Sequence, residues 1–314
     1  MQITDFTKEH LPEAYRLAEE NYKEAREHLP LLPCAAIPSL EYFAENGLGA
    51  AAIENGQLIG FLGSFEPWSP AFYTPNTVGV FSPLHAHAVQ KNNREKIWQR
   101  LYQAAAKKWV AVGAASHAIA LYSNDIAAQK ALYQYGFGAR CADFMRELIP
   151  IEASYSEHIQ FRELTAAEVS VLHPMRSALV DHLGNSPSFM VHTSDNLNFF
   201  LNRRETEPPR MFAAFDNSFP IAYIELTLEG ENFASCTPHT ANICGAYCLP
   251  EYRGQGIAAA LLAHIVRILK EEGTERLGVD CETMNPTAMG FWSKYFMQYT
   301  VSVVRRIDEN AVLY

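Results

Sequence analysis

The stretch Leu249-Pro250-Glu251-Tyr252-Arg253-Gly254-Gln255-Gly256-Ile257-Ala258 stands between an apolar segment and a helical one. Gly254 and Gly256 remove Cβ atoms where a ligand must approach the backbone closely. The N–H groups that follow them point outward at the start of the predicted helix, where the helix dipole is positive. The stretch has neither the Lys-Ser/Thr of a P-loop nor the third glycine of a dinucleotide turn. It therefore predicts a different kind of diphosphate site, between a strand and a helix.

The segments around this turn read as alternating strands and helices. The apolar residues 241–249 predict a strand before it, and 277–281 predict the next one. Residues 256–271 carry apolar side chains at helical spacing and end at Gly273, which predicts a helix. A second helix is predicted over 286–294.

The chain repeats this plan. The first half predicts a strand at 2–5, helices at 12–27 and 94–110, strands at 77–81 and 117–122, and a hairpin turn at Asn55-Gly56. The second half predicts strands at 160–163, 211–215 and 221–228, with a helix at 166–183. The best alignment sets Gly79–Pro83 on Gly245–Pro250, and Leu132–Phe137 on Phe291–Phe296. We interpret the repeat as an internal duplication joined near 149–158. The predicted fold is α/β, with tandem domains at 1–150 and 159–314, each a mixed central sheet flanked by helices.

The composition is that of an ordinary globular protein. Of 314 residues, 48% are hydrophobic and 19% are charged, and the net charge is −10, which argues against a general nucleic-acid binder. The six cysteines form no C-x-x-C pair, and no apolar run approaches the ~20 residues that span a bilayer. We expect no secretory signal, because the first residues, Met1-Gln2-Ile3-Thr4-Asp5, lack a basic region followed by an apolar one. We expect a cytoplasmic protein that binds neither nucleic acid nor membrane.

Two motifs carry a resemblance to a known family. Arg253-x-x-Gly256-x-Ala258 resembles the pyrophosphate motif of the GNAT superfamily of acyl-CoA N-acyltransferases. The segment Asn285-Pro286-Thr287-Ala288-Met289-Gly290-Phe291-Trp292 is similar to that family's second cofactor motif. The resemblance implies two GNAT-like domains. It also implies an N-acetyltransferase whose C-terminal half transfers an acetyl or other short acyl group from acetyl-CoA to an amine by direct attack.

The resemblance also assigns residues to the cofactor. The backbone N–H groups of Gly254, Gln255, Gly256, Ile257 and Ala258, next to Arg253, would hold the pyrophosphate. The strand end Tyr247, Cys248 and Leu249 would pair with the pantetheine amides, and Asn285 would contact the same arm. Trp292 stands where the family often has a tyrosine that protonates the leaving thiolate, and an indole N–H is a poor acid.

The catalytic groups are therefore open between alternatives. Tyr295 and Tyr247 are the two candidates for the proton donor. Glu225 and Glu282 are the two candidates for the general base that takes a proton from the acceptor ammonium. Cys248 stands close to the expected acyl position, so an acyl-enzyme route is a further, less favoured alternative.

The first half lacks the cofactor turn. Its predicted counterpart, Leu84–Asn92, contains no glycine, so we expect a degenerate domain with an architectural role. His85-x-His87 has no third ligand at a matching spacing, and we expect no metal.

The acceptor and the assembly stay open. The polar stretch His182–Arg204 favours a polar acceptor, and a small amine, an amino acid, an aminoglycoside and a peptide N-terminus all fit. A homodimer is among the assemblies left open. The alternative function is a non-catalytic acyl-CoA-binding sensor or partner module, which Trp292 keeps in consideration.

Overall fold

The hairpin predicted at Asn55-Gly56 joins the strands Ala50–Glu54 and Gln57–Leu62. Asn55 has φ 53° and Gly56 has φ 80°, the left-handed conformations that a two-residue hairpin turn needs to match the twist of its strands. This computed structural model describes residues 1–74, 77–191 and 209–313. Much of the polar stretch 182–204, from residue 192 on, lies outside the described residues.

The elements follow the predicted order closely. The α-helices are α1 (Leu11–His28), α2 (Glu41–Glu45), α3 (Arg94–Ala111), α4 (Ile126–Tyr133), α5 (His173–Gly184), α6 (Ile257–Glu271), α7 (Pro286–Tyr295) and α8 (Asn310–Leu313). The strands are β1 (Gln2–Asp5), β2 (Ala50–Glu54), β3 (Gln57–Leu62), β4 (Gly79–Ser82), β5 (His87–Val89), β6 (Ser116–Tyr122), β7 (Gly138–Glu147), β8 (Ile159–Leu164), β9 (Arg210–Asp216), β10 (Phe219–Thr227), β11 (Thr240–Cys248), β12 (Arg276–Glu282), β13 (Met297–Gln298) and β14 (Thr300–Arg306).

One helix begins later than predicted. The sequence pattern placed its start near Ala166, but α5 begins at His173, after a 3-10 turn at Val169–Leu172. Pro174 stands in the first turn of α5, where its missing N–H costs no hydrogen bond, so the chain starts its regular helix there.

The chain divides into two compact units. Unit 1 comprises Met1–Asp143, Asn232–Ala234 and Gln298–Tyr314, and unit 2 comprises Phe144–Glu231 and Ser235–Met297. This spatial division differs from the predicted ranges 1–150 and 159–314, chiefly because β14 pairs with β6 and β7. Val301 and Val303 of β14 are buried in the core of unit 1. As units of sequence duplication, the two ranges stay a prediction.

Unit 1 has one antiparallel sheet in the order β1-β2-β3-β5 and a second group in the order β4-β6-β14-β7. Strand β4 is parallel to β6. Helix α3 supplies the largest buried side chains, Trp98, Tyr102 and Trp109.

Unit 2 has the strand order β12-β11-β10-β9-β8, in which β11 and β12 are parallel and the other pairs are antiparallel. Helix α5 packs on one face through Met175, against a cluster that includes Tyr223 of β10. Helix α6 covers the other face, where His264 lies against Phe212. The predicted apolar side of α6 is confirmed, because Ile257, Leu261, Ile265 and Leu269 are all at most 3% exposed.

Candidate functional site

Residues 253–256 of unit 2, called the glycine turn below, have the backbone conformation that their sequence requires. Gly254 has φ +76° and Gly256 has φ +78°, both in the left-handed region that favours glycine. Gly256 is the N-cap of α6 and gives no side-chain cap, and the first turn of α6 contains no acidic residue. The first amides of a 15-residue helix are therefore left for an anion.

Two side chains at the glycine turn hold it in place through hydrogen bonds to neighbouring residues. Arg253 donates from Nε to the Cys248 carbonyl oxygen at 2.9 Å, and its guanidinium lies 5.2 Å from the centre of the Tyr247 ring. Tyr252 donates to Asp216 Oδ2 at 3.0 Å. The Arg253 side chain, predicted among the cofactor residues, thus holds the turn against the end of β11.

Gly256 is also required by a neighbouring segment. A Cβ atom on Gly256 would overlap the carbonyl oxygen of Ser154, which belongs to the segment between β7 and β8. A Cβ on Gly254 would meet no atom within 4 Å. Any side chain at Gly256 therefore disturbs the local structure, whatever its effect on a ligand.

Strands β11 and β12 part in the middle of the sheet. Their parallel pairing runs from Thr240↔Arg276 to Ile243↔Val279, and β11 then continues to Cys248 paired with β10 alone among the described strands. Cys244 is a β-bulge, because Glu225 pairs with Gly245 while Leu226 pairs with Ile243. The second half of β11 therefore has one edge open toward β12.

Alternation along β11 decides which backbone groups reach that edge. The N–H of Leu249 donates to the Ile221 carbonyl at 3.0 Å, so Leu249 and Tyr247 direct their backbone groups toward β10. Ala246 and Cys248 then direct theirs toward the opening. Among the three predicted pantetheine partners, Cys248 is the one with its N–H on the open side. The sequence motif did not identify Ala246, because the bulge at Cys244 decides which residues of β11 direct their backbone groups toward the open edge.

The two candidate bases occupy different surroundings. Glu225 is 4% exposed, and its Oε2 lies 3.7 Å from Nη2 of Arg176, which is 3% exposed. Burial and the charge of Glu225 raise the pKa of the nearby Tyr223 hydroxyl above its usual range. Glu282 lies half-buried at the end of β12, and its carbonyl oxygen accepts from the Asn285 N–H at 2.9 Å. Sequence reasoning missed Arg176 and Tyr223, which the fold brings to Glu225 from α5 and β10.

Asn285 caps α7 across the opening from β11. Its Oδ1 accepts from the Ala288 N–H at 3.2 Å, and the residue is 7% exposed. An amide oxygen that caps a helix is held in place, and the same side chain carries an NH₂ group with two donors. That group is the part of Asn285 suited to a pantetheine carbonyl.

Trp292 is a core residue. It is 5% exposed, and its ring packs edge-on against Phe291 and Phe296 at 4.8 and 5.4 Å. Of the two candidate proton donors, Tyr247 lies half-buried on β11 between Arg253 and the His182 ring, which is 6.3 Å away. Tyr295 is the last residue of α7 and contacts Phe291 at 5.2 Å. Burial raises the pKa of the Cys248 thiol to about 11, so a thiolate nucleophile is disfavoured there.

The corresponding region of unit 1 is closed. The imidazole Nε2 of His87 on β5 donates to the Ala120 carbonyl of β6 at 2.6 Å, so this side chain bridges the two strands. Asn93, with φ 57°, stands at the N-cap position of α3 without a side-chain cap, and Glu95 places a carboxylate in its first turn. Glu95 is the second residue of α3, as Ala258 is the second residue of α6 in unit 2. A carboxylate at that position repels a diphosphate.

The structure corrects both predicted alignments of the halves. Gly79–Ser82 pairs in parallel with β6 as Thr240–Ile243 pairs with β12, so these two segments correspond, and Gly79 does not match Gly245. The residues before α3 that match the glycine turn are 90–93, not Leu84–Asn92. Asp125 and Asn285 cap α4 and α7 in the same way, which sets Leu132 on Trp292 and shifts the second alignment by one residue. The bulge in one half and the inserted loop 83–86 in the other made the sequence match ambiguous.

Comparison with known proteins identifies the fold. Residues 177–296 match the model of the acetyltransferase (GNAT) family. The match covers less than half of the chain. The matched region includes the glycine turn, the open edge of β11 and the Asn285 cap. No curated protein matches the sequence significantly.

Solved structures extend the likeness of fold to the whole chain. A GCN5-related N-acetyltransferase from Sphaerobacter thermophilus has a TM-score of 0.58 at 13% identity, over 97% of this chain and 95% of that one. A GCN5-related glucosamine N-acetyltransferase region of a fungal multi-domain GH3 β-N-acetylglucosaminidase has a TM-score of 0.54 at 14% identity. In that case 96% of this chain covers 38% of the other. At these identities the likeness concerns the fold.

The described residues contain neither a metal-binding cluster nor a membrane-spanning helix. Within 1–74, 77–191 and 209–313 no group of three or more His, Cys, Asp or Glu side chains is arranged to hold a metal ion. Within the same ranges no helix has the length and apolarity to cross a membrane.

Proposed function

We propose that the protein is an N-acetyltransferase that passes an acetyl or other short acyl group from acyl-CoA to an amine, with its active site in unit 2. The observation that carries the proposal is the parting of β11 from β12 directly before the uncapped N-terminus of α6. The parting leaves an open strand edge, and the helix start offers an anion site. GNAT acetyltransferases use acyl-CoA as co-substrate, which fits both features.

The residues of unit 2 suit each part of a CoA molecule. The N–H groups of Gly256, Ile257 and Ala258, with those of Gly254 and Gln255, would hold the diphosphate. Ala246 and Cys248 would pair with the pantetheine amides through the open edge of β11, and the Asn285 NH₂ group would bind the same arm. When bound, acyl-CoA supplies a thioester as the acyl donor.

The remaining groups would act as the general base and the proton donor. Glu225 lies beside Gly245 at the start of the open edge, and Glu282 lies at the end of the facing strand, so each is placed to take a proton from an acceptor ammonium. Tyr247 is the better situated proton donor, because it stands on β11 itself and is half-exposed. Tyr295 is the alternative.

Burial of Trp292 supports a second candidate function. The position where many family members have an acidic hydroxyl is filled by a core side chain. A protein that binds acyl-CoA without turnover, as a sensor or partner module, would need no proton donor there.

Turnover separates the two functions. Acetyl-CoA binding is measured by calorimetry, and release of free thiol is followed with a broad panel of primary amines. The enzyme proposal expects binding together with thiol release that depends on one class of amine. Binding without release across the panel would favour the sensor, and absence of binding would remove both.

A further inference from the structure

The ion pair between Arg176 and Glu225 is buried but loose. The two side chains are 3% and 4% exposed, yet the gap from Nη2 to Oε2 is 3.7 Å, longer than a hydrogen bond. Arg210 of the same unit shows what a tight pair looks like, since it binds Glu163 at 2.7 and 2.8 Å. A buried pair held mainly for stability would be expected to close in that way.

One polar atom of this pair and one beside it have unused hydrogen-bonding capacity. Glu225 Oε2 and the Tyr223 hydroxyl are buried, and neither has a hydrogen-bond partner among the described residues. Both side chains project from the same face of β10, because they are two residues apart on one strand. Buried polar atoms are rarely left without partners, and a ligand is one way of supplying them.

The pair adjoins the open edge of β11. A Cβ atom on Gly245 would lie 3.2 Å from Glu225 Oε2, so the glycine leaves the space that the carboxylate faces. Gly245 follows the bulge at Cys244, where β11 leaves β12, and residues 244–248 are half-exposed. A ligand on the pair would therefore lie beside the proposed thioester position.

We infer that the acceptor is a zwitterion, a primary amine with a carboxylate close to it, as in a free α-amino acid. Its ammonium group would bind Glu225, and its carboxylate would bind Arg176 and the Tyr223 hydroxyl. This inference rests on the proposed function and names its acceptor class.

Opposite charges are the reason for a zwitterion. Arg176 and Glu225 carry opposite charges in a buried place, where a ligand charge without a partner is costly. A zwitterion offers each of them a group of the opposite sign. The guanidinium has five N–H donors in a planar fork, so it has donors for a ligand carboxylate beside its existing contacts.

The reaction then balances in this arrangement. The ammonium gives one proton to Glu225, and the free amine nitrogen forms a C–N bond with the acyl carbon as the C–S bond breaks. The sulfur takes up a proton and the new amide nitrogen gives up its second one. The products are an N-acyl amino acid and free thiol.

A matched acceptor panel tests the inference on the full-length protein. Each free amino acid is compared with its carboxamide and with the amine that lacks the carboxyl group, using acetyl-CoA and thiol release. We expect kcat/KM for the preferred amino acid to exceed that of its carboxamide by roughly 10- to 100-fold, the effect of one hydrogen bond between charged groups.

Two variants test whether the Arg176–Glu225 pair causes the preference for the free amino acid over its carboxamide. Arg176→Lys keeps the charge and loses the planar fork, so the ratio of kcat/KM for the acid to kcat/KM for the carboxamide should fall. Arg210→Lys, in the tight exposed pair, is the control and should keep the wild-type ratio. Equal or faster turnover of carboxamides and simple amines by the wild type would overturn the zwitterion and leave the acyltransferase standing. No release with any class, despite binding of acetyl-CoA, would overturn both.

Discussion

Arg253 donates from Nε to the carbonyl oxygen of Cys248 at 2.9 Å, which ties the glycine turn to the last residue of β11. The turn is proposed to hold the diphosphate, and the strand end is proposed to hold the pantetheine arm. The bond therefore fixes the spacing between two parts of one binding site. It also uses one lone pair of the Cys248 carbonyl oxygen, while the N–H of Cys248 is directed toward the open edge.

Arg253→Gln should weaken acetyl-CoA binding without unfolding the protein. Loss of the bond to Cys248 and of the contact with Tyr247 should raise Kd about 3- to 10-fold, the worth of ~1 kcal/mol of lost positioning. Calorimetry measures Kd. The control is Arg267→Gln on the exposed side of α6, where the arginine pairs with Glu271 at 2.9 Å. An unchanged Kd in the Arg253 variant would contradict the positioning role.

Gly254 permits a test that changes charge alone. Asparagine and aspartate both tolerate φ near +76°, and a Cβ at this position meets open space. Gly254→Asp should bind acetyl-CoA about tenfold more weakly than Gly254→Asn, the effect of ~1.4 kcal/mol of repulsion beside a diphosphate. The matched control is the same pair of substitutions at Gly273, which has φ +86° and open space at the other end of α6. Equal affinity in the two Gly254 variants would place the diphosphate elsewhere.

Gly256 should be costly to replace even without a ligand. Alanine there meets both the unfavourable φ and the Ser154 carbonyl, whereas alanine at Gly254 meets the φ alone. We expect Gly256→Ala to lower the free energy of unfolding by about 2 kcal/mol or more, and Gly254→Ala by about 1 kcal/mol. Urea unfolding measures both. Equal losses of unfolding free energy in the two variants would mean that the segment containing Ser154 moves aside at little cost. For this reason loss of binding in a Gly256 variant is weak support for the site.

Local sequence rules were sufficient for the turn and the helix caps. Two glycines before an apolar helix, and Asn285 before Pro286, specify their conformations through interactions within a few residues. The separation of β11 from β12 was harder to predict from the sequence, because a bulge at Cys244 depends on how three strands pair. The Arg176–Glu225–Tyr223 group was missed for a related reason. Its members come from α5 and β10, and nothing in the local pattern around Arg176 distinguishes it from a surface arginine.

The buried histidines of unit 1 predict a response to acid. His87 is 5% exposed and His117 is fully buried, and burial lowers the pKa of each to about 4. In the unfolded chain the ordinary value is about 6.5. The unfolded state therefore binds more protons between these values, so the stability that the neutral imidazoles provide is complete above pH 6.5 and is lost as pH falls toward 4.

His87→Gln tests this on the side chain that bridges β5 and β6. Glutamine can still donate to the Ala120 carbonyl and does not titrate, so the variant should lose less stability than the wild type when the pH falls from 7.5 to 5. The difference should be about 1–2 kcal/mol, because one unit of pKa shift corresponds to ~1.4 kcal/mol. Urea midpoints at the two pH values measure it. His158→Gln, at a side chain 60% exposed, is the control and should follow the wild type. If His87→Gln instead keeps the full wild-type loss, protonation of His87 is not what destabilises unit 1 in acid.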